Sequence, residues 1–266
     1  HYDKIDVMTE AEEKRQLALQ KQSVDELKAN FDYEKLNDEA KISYDIWLHQ
    51  YEEALEGQQY NQNAYIFTQM QGFQVFAAEF LINFHKVDEE KDMLAYITRI
   101  FGMSQAIADL LVRAQANASK GVRPPKFAYE EVIEQAQGLI TGAPFTSDGS
   151  DSALWADAKR KISNLLEAEK IDQAQAEKLL AQVKEALNIH FLPTYQSLVA
   201  WFENDIVNTD KIATGVGKQP NGENYYNFRL KSSTTTQLTA DEIHEIGLAE
   251  VARITKEMVV IKNKVG

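Results

Sequence analysis

The stretch LAYITRIFGMSQAIADLLVRA, residues 94–114, decides the fold class of this chain. Large apolar residues recur in it every three or four positions, the spacing that places side chains on one face of an α-helix. We expect Asp88 to cap this helix, which runs for about seven turns before Gly121 and Pro124-Pro125 end it. The sequence therefore predicts a long amphipathic helix whose inward face carries Leu94, Ile97, Ile100, Phe101, Ile107, Leu110, Leu111 and Ala114.

The same periodicity predicts helices along most of the remaining chain. Thr9 with Glu12, and Thr239 with Glu242, have the capping-box spacing, so we expect the first and last helices to begin there. An apolar period continues across Pro193, which predicts one long kinked helix rather than two separate ones. The predicted fold class is all-α: a multi-helix bundle with long antiparallel helices, forming one helical domain or half-domain over residues 1–266.

Three further apolar patterns predict buried faces. One lies on a helix near residues 38–57, one on a helix at 73–84, and one on the last helix. The pattern on the last helix needs a partner helix and is still apolar where the chain ends. The residues are Tyr44, Trp47, Leu48, Tyr51 and Leu55; Phe76, Phe80 and Phe84; and Ile243, Gly247, Val251, Ile254, Met258, Ile261 and Val265.

Turn-forming residues are scarce, with 12 Gly and 5 Pro in 266 residues, fewer than a fold of many short strands needs. They concentrate in residues 142–151, which predicts an internal hinge. A second cluster begins with Gly215-Val216-Gly217-Lys218, but Gln219 follows where a phosphate-binding loop needs Ser or Thr. We therefore interpret that cluster as a surface turn.

The charge balance excludes several classes of protein. The chain has 28 basic and 41 acidic side chains and a formal net charge of −13, without a run of Lys and Arg. Such a protein repels nucleic acid and anionic lipid surfaces. The absence of Cys excludes disulfides and thiolate metal sites, and no apolar run is long enough to span a membrane.

The sequence offers no catalytic residue and no metal site. His244-Glu245 resembles the start of a zinc-binding H-E-x-x-H helix, but Leu248 stands where the second His is required. A short helix at 223–231 places Tyr226 with Leu230 on one face and Tyr225 with Arg229 on another. We predict that one of these faces is core and that the other faces a ligand.

Several motifs resemble a bacterial family known as domain of unknown function 885. They occur in the order found in that family and extend over most of the chain. The longest is the run from Gly222 to Ile254. The motifs are Leu55-Glu56-Gly57, Gln71-Gly72, Phe80-Leu81, residues 121–127, Pro144-Phe145, residues 192–195, Gly222-Glu223-Asn224-Tyr225-Tyr226, Arg229-Leu230, Thr234-Thr235-Thr236 and residues 238–254.

The resemblance implies that this chain is the amino-terminal part of a larger helical metallopeptidase-like fold. Members of the family are about twice as long, and an H-E-x-x-P-G-H type motif in their second half resembles those of zinc peptidases. That motif is missing here, so we expect this chain alone to be inactive, with zinc held by an absent carboxy-terminal half. By analogy, Tyr225, Tyr226, Arg229 and His244 are candidate contacts to a peptide substrate in a cleft.

Two functions follow as expectations. The first is a non-catalytic amino-terminal half of a zinc-dependent peptidase, which forms one wall of a peptide-binding cleft and packs against its own carboxy-terminal half. The alternative is a non-enzymatic helical binding or scaffold lipoprotein of the bacterial envelope. Many family members are exported, and a start at His1 suits a removed leader. We therefore expect a periplasmic or envelope location, with lipid anchoring through that leader.

Overall fold

The computed structural model describes residues 2–70, 72–147 and 149–266, and these form helices without any β-strand. One isolated bridge joins Ala143 and Asp151. The all-α prediction is therefore confirmed. In chain order, the helices are α1 Glu10–Asn30, α2 Asp38–Gly57, α3 Phe73–Asn83, α4 Glu90–Ser119, α5 Lys126–Leu139, α6 Ala153–Glu167, α7 Gln173–Ala186, α8 Leu192–Asp205, α9 Gly222–Thr234 and α10 Ala240–Val265.

The helices belong to two compact units. The first unit comprises residues 1–36 and 64–213, and the second comprises residues 37–63 and 214–266. The predicted hinge at 142–151 lies within the first unit and stays a prediction. Asp148, which belongs to that segment, lies outside the described residues, as do His1 and Gln71. No helix in the described part of the chain is long and apolar enough to cross a membrane.

Helix α4 forms the centre of the first unit, as its apolar period predicts. It buries residues over nearly its whole length, from Met93 to Ala118, and packs against α7 and α8. Its cap differs from the prediction: Glu89 takes the N-cap position, and the Asp92 carboxylate accepts the backbone N–H groups of both Glu89 and Asp88. Gly121 follows the helix with a φ of +83°, a conformation that glycine adopts at little cost.

The predicted long helix across Pro193 is present. A π-helical segment, Leu187–Phe191, joins α7 to α8, and Pro193 follows within the first turn of α8. Proline lacks the N–H that an α-helix needs, and a π-helical turn changes the hydrogen-bond register without breaking the chain direction. The apolar face therefore continues through the irregularity, with Leu187, Phe191, Tyr195, Leu198 and Phe202 all buried.

Helix α3 forms as predicted, but the phenylalanine stripe is not its most buried face, and of that stripe only Phe80 packs partly against the core. The Phe76 and Phe84 side chains are exposed, whereas Ala77, Ala78 and Leu81 are buried. The small alanines let α3 lie close to α4, α5 and α6. The phenylalanine rings then follow one another along the outside, with centroids 5.9 Å apart for Phe76–Phe80 and 6.1 Å for Phe80–Phe84.

Buried polar groups in the first unit are mostly paired. The Lys161 ammonium lies 2.7 Å from an Asp157 carboxylate oxygen and donates to the Leu81 carbonyl at 2.6 Å. Tyr96 donates to Asp157 at 3.1 Å. His85 is buried, donates through Nε2 to the Asp92 carbonyl, and accepts through Nδ1 from the Arg99 guanidinium, each at 2.9 Å. These contacts join α3, α4 and α6 in one polar network.

The second unit buries very little by itself. Helices α2 and α10 contain no buried residue, and only Asn63 and Gly222 are buried among its described residues. The prediction of a core stripe on α2 is therefore wrong for this unit, because Trp47 and Leu55 are exposed and Tyr44, Leu48 and Tyr51 are half-buried. The apolar face of α10 is likewise uncovered.

Candidate functional site

A cavity of about 290 Å³ lies within the second unit, between α2 and α9. We call it the α2–α9 cavity. Its lining mixes carboxylates, hydroxyls, an amide, a single lysine and one aromatic ring. These are His49, Glu52, Glu53 and Glu56 of α2, Phe228, Lys231 and Ser232 of α9, and Thr235 and Gln237 beyond α9.

The helical repeat places these side chains together. Glu52 and Glu56 are four residues apart on α2, and Phe228, Lys231 and Thr235 follow three- and four-residue steps along α9 and just beyond it. Gly57 closes α2 against the Phe228 ring, where an added Cβ would lie 2.9 Å from Phe228 Cζ. The ring also stacks on Tyr60 with a centroid distance of 5.0 Å. Phe228 thus forms a fixed apolar wall of the cavity.

The start of α9 is held by hydrogen bonds from the Asn63 side chain and by close packing at Gly222. Asn63 is buried and donates from Nδ2 to the Pro220 carbonyl at 2.7 Å and to Gln219 Oε1 at 3.2 Å. Gly222 packs so closely on the 216–218 turn that an added Cβ would lie 2.1 Å from the Val216 carbonyl oxygen. These contacts fix the position of α9, and therefore of the side chains that line the cavity.

The electrostatics of the α2–α9 cavity favour a positive ligand group. Lys231 Nζ lies 2.8 Å from Glu56 Oε2, and this hydrogen bond, with the nearby charges of Glu56, Glu53 and Glu52, raises the pKa of Lys231. Ser232 donates to the Glu53 carboxylate, and His49 Nε2 lies 3.7 Å from it. One lysine therefore faces three carboxylates, which leaves an excess of negative charge.

The described residues do not fit a zinc site. Within residues 2–70, 72–147 and 149–266, no group of three or more His, Cys, Asp or Glu side chains is arranged to hold a metal ion. His49 and the cavity glutamates do not form such a group, so we derive no reaction step through zinc.

None of the four residues chosen from sequence lines the α2–α9 cavity: three lie on α9, and His244 lies on α10. Tyr225 is half-buried, with its ring centroid 6.0 Å from that of Tyr60. Tyr226 is 44% exposed, Arg229 is exposed on α9, and His244 is exposed on α10. On α9, Tyr225 and Phe228 make the packing contacts with Tyr60. A role for the four residues in substrate binding stays a prediction.

Sequence reasoning missed the cavity glutamates and Phe228. Charged residues on a helix surface are usually solvated, so Glu52, Glu53 and Glu56 gave no distinct signal. The sequence holds one signal for this cavity: Gly57 ends α2, and an aromatic stretch, Tyr225–Phe228, occurs far along the chain. The contact of Gly57 with Phe228 forms the cavity wall. That contact joins positions 171 residues apart, and periodicity within single helices cannot reveal it.

Comparison with known proteins gives the family. The chain is similar to the structure described as that of the putative lipoprotein from Colwellia psychrerythraea, with a TM-score of 0.64 and 25% identity over 73% of this chain. The match covers 32% of that protein, so this chain spans about a third of its length. No curated protein matches. The family model of bacterial proteins of unknown function (DUF885) matches residues 1–266, and the chain therefore belongs to that family.

Proposed function

We propose that residues 1–266 form a non-catalytic wall of the peptide-binding cleft of a zinc-dependent peptidase. The observation that carries this proposal is the α2–α9 cavity, an open site in a unit that otherwise buries almost nothing. In this proposal the zinc ligands lie in a part of the full-length polypeptide outside residues 1–266; the match to the related lipoprotein covers only 32% of that protein.

The lining of the α2–α9 cavity suits a peptide. An extended peptide presents backbone N–H and C=O groups, which Thr235, Gln237 and Ser232 are equipped to pair. The three carboxylates of α2 suit a peptide amino terminus or a Lys or Arg side chain, and the Phe228 ring can contact the aliphatic part of such a side chain. The proposed substrate class is therefore a peptide with a positive charge near the cleaved bond.

The experiment uses the full-length gene product and a peptide library that contains matched basic and neutral members. Because the cavity binds substrate and does not react with it, Glu52→Gln with Phe228→Ala should raise KM for basic peptides about tenfold and leave kcat within about twofold. Glu39→Gln, an exposed carboxylate on the same helix outside the cavity, is the matched control. Equal KM values for the double variant and the control would reject the proposal.

The alternative is a non-enzymatic binding or scaffold lipoprotein of the bacterial envelope. The description of the related structure as a putative lipoprotein favours it. It predicts that the full-length protein binds basic peptides without hydrolysing them at any zinc concentration. Tyr226→Phe, Arg229→Ala and His244→Ala would then change peptide affinity only, whereas in a peptidase at least one of them should lower turnover.

A further inference from the structure

Helix α10 carries an apolar seam with a coiled-coil repeat. Apolar or small residues follow alternating steps of three and four from Ala240 to Val265, and the sole exception is His244. Steps of this kind hold one face of a helix against a partner helix along its whole length. In heptad notation the seam is His244, Val251, Met258 and Val265 at position a, with Ala240, Gly247, Ile254 and Ile261 at position d.

The α10 seam is uncovered in the described part of the chain. Val251 and Met258 are each 64% exposed and Ile261 is 60% exposed, and no residue of α10 is buried. A capping box at Thr239 and Glu242 fixes the helix start, so the seam is a preformed surface. An exposed apolar surface of this length on a well-formed helix marks an interaction site.

Charges beside the seam divide by sign along the helix. At the positions that flank the seam, Asp241, Glu250 and Glu257 are acidic, whereas Lys262 and Lys264 in the last turns are basic. This order matches the helix dipole, which favours acidic residues at the amino end and basic residues at the carboxyl end. A partner helix that obeys the same rule matches its charges to those of α10 only when it runs antiparallel.

We infer that the α10 seam binds an antiparallel amphipathic helix from the part of the full-length polypeptide outside residues 1–266. The partner must be long, because the seam extends over more than three heptads, and the related lipoprotein has the necessary chain, since the match covers only 32% of it. His244 then lies inside a helix–helix contact, which gives it a packing role. This inference rests on the proposed function only in assuming that a carboxy-terminal part exists.

The test is cysteine labelling of the full-length gene product. Residues 1–266 contain no Cys, so a single introduced Cys reports on one position once any Cys elsewhere is replaced by Ser. Met258→Cys probes the seam, and Lys256→Cys probes the opposite side of the same helix. We expect a maleimide to label Met258→Cys at least tenfold more slowly than Lys256→Cys in the native protein, and equally fast in urea. Equal native rates would overturn the inference.

Two further measurements identify the occupant and its direction. The slow labelling of Met258→Cys should not change when the protein is diluted a hundredfold. Faster labelling on dilution would show that a second copy covers the seam and would overturn the inference. Adding Lys262→Glu and Lys264→Glu should speed labelling at least threefold if the partner is antiparallel, while unchanged or slower labelling would overturn the direction. Peptide hydrolysis by the same samples is measured separately. A protein without peptidase activity can therefore be distinguished from one whose α10 seam is uncovered.

Discussion

The first unit has a deep core, whereas the second has almost none. Tyr96, Ile107, Leu179 and Tyr195 of the first unit are essentially inaccessible to solvent, whereas no residue of α10 is buried. Both units nevertheless contain amphipathic helices with a capping box, such as α7 in the first unit and α10 in the second. The difference teaches that periodicity and capping specify a helix and its apolar face, while burial depends on whether a partner for that face is available.

The largest expected effect comes from making the same substitution in both units. Ile107 is 0% exposed and Ile254 is 44% exposed. Ile107→Ala should lower the free energy of unfolding of the 266-residue chain by about 3 kcal/mol, because it leaves a cavity in a packed core. Ile254→Ala should change it by less than about 0.5 kcal/mol. Urea unfolding followed by circular dichroism measures both, and similar losses would contradict the contrast.

The next effect concerns the polar contacts that tie α5 to α8. Asp205 accepts from Arg123 Nε at 2.8 Å and from the Tyr129 hydroxyl at 2.9 Å. Asp205→Ala should cost about 2 kcal/mol, because it leaves a largely buried guanidinium unpaired. The control Asp25→Ala removes a pair whose members are both 60% exposed and should cost less than about 0.5 kcal/mol. Equal unfolding midpoints for the two variants would count against the account.

The lowered pKa of Asp205 predicts that the protein loses stability in acid. Burial alone would raise the pKa of Asp205, but hydrogen bonds from Arg123, Asn208 and Tyr129 outweigh it and lower the pKa. Its contribution to stability is therefore complete above the ordinary carboxyl pKa of about 4 and is lost as the pH falls through the lower folded value. Asp205→Asn should flatten that part of the stability curve.

A smaller and local effect is expected in the second unit. Gly222→Ala places a methyl group against the Val216 carbonyl oxygen, so the turn and the start of α9 must separate at a cost of about 1.5 kcal/mol. Hydrogen exchange in residues 222–234 should speed up, while exchange in α4 stays unchanged. Gly217→Ala, where an added Cβ meets nothing within 4 Å, is the control. Faster exchange throughout both units would show that the effect is not local.

The smallest expected effect is a pH dependence in the polar network of the first unit. Burial lowers the pKa of His85 below its ordinary value near 6.5; the nearby Arg99 and Lys161 lower it further, while the Asp92 carbonyl and carboxylate oppose the shift. The unfolded chain then binds the proton first, so stability falls as the pH drops from about 6.5. The rings of Tyr2 and Tyr96 also face His85, with centroids 4.7 Å and 5.4 Å from that of His85. His85→Gln should remove this dependence of the free energy of unfolding on pH. An unchanged dependence would contradict the assignment of the effect to His85.

Helix existence could be predicted from the sequence because it depends on local spacing. The continuation of the helix across Pro193 and the capping box at Thr239 follow from such signals. The inward face of α3 could not be predicted, because an alanine face and a phenylalanine face have the same period and the close approach of neighbouring helices decides between them. The α2–α9 cavity could not be predicted for a similar reason, since it depends on the contact between Phe228 and Gly57, which are far apart in the sequence.

Amide hydrogen exchange on the 266-residue chain tests the central claim most directly, namely that the first unit is complete and the second awaits a partner. Core amides of α4 should be protected by a factor on the order of 10⁴ or more, the scale of global unfolding. Amides of α10 should be protected less than about 100-fold, because a helix without tertiary contacts opens readily. Equal protection of α4 and α10 would contradict the account.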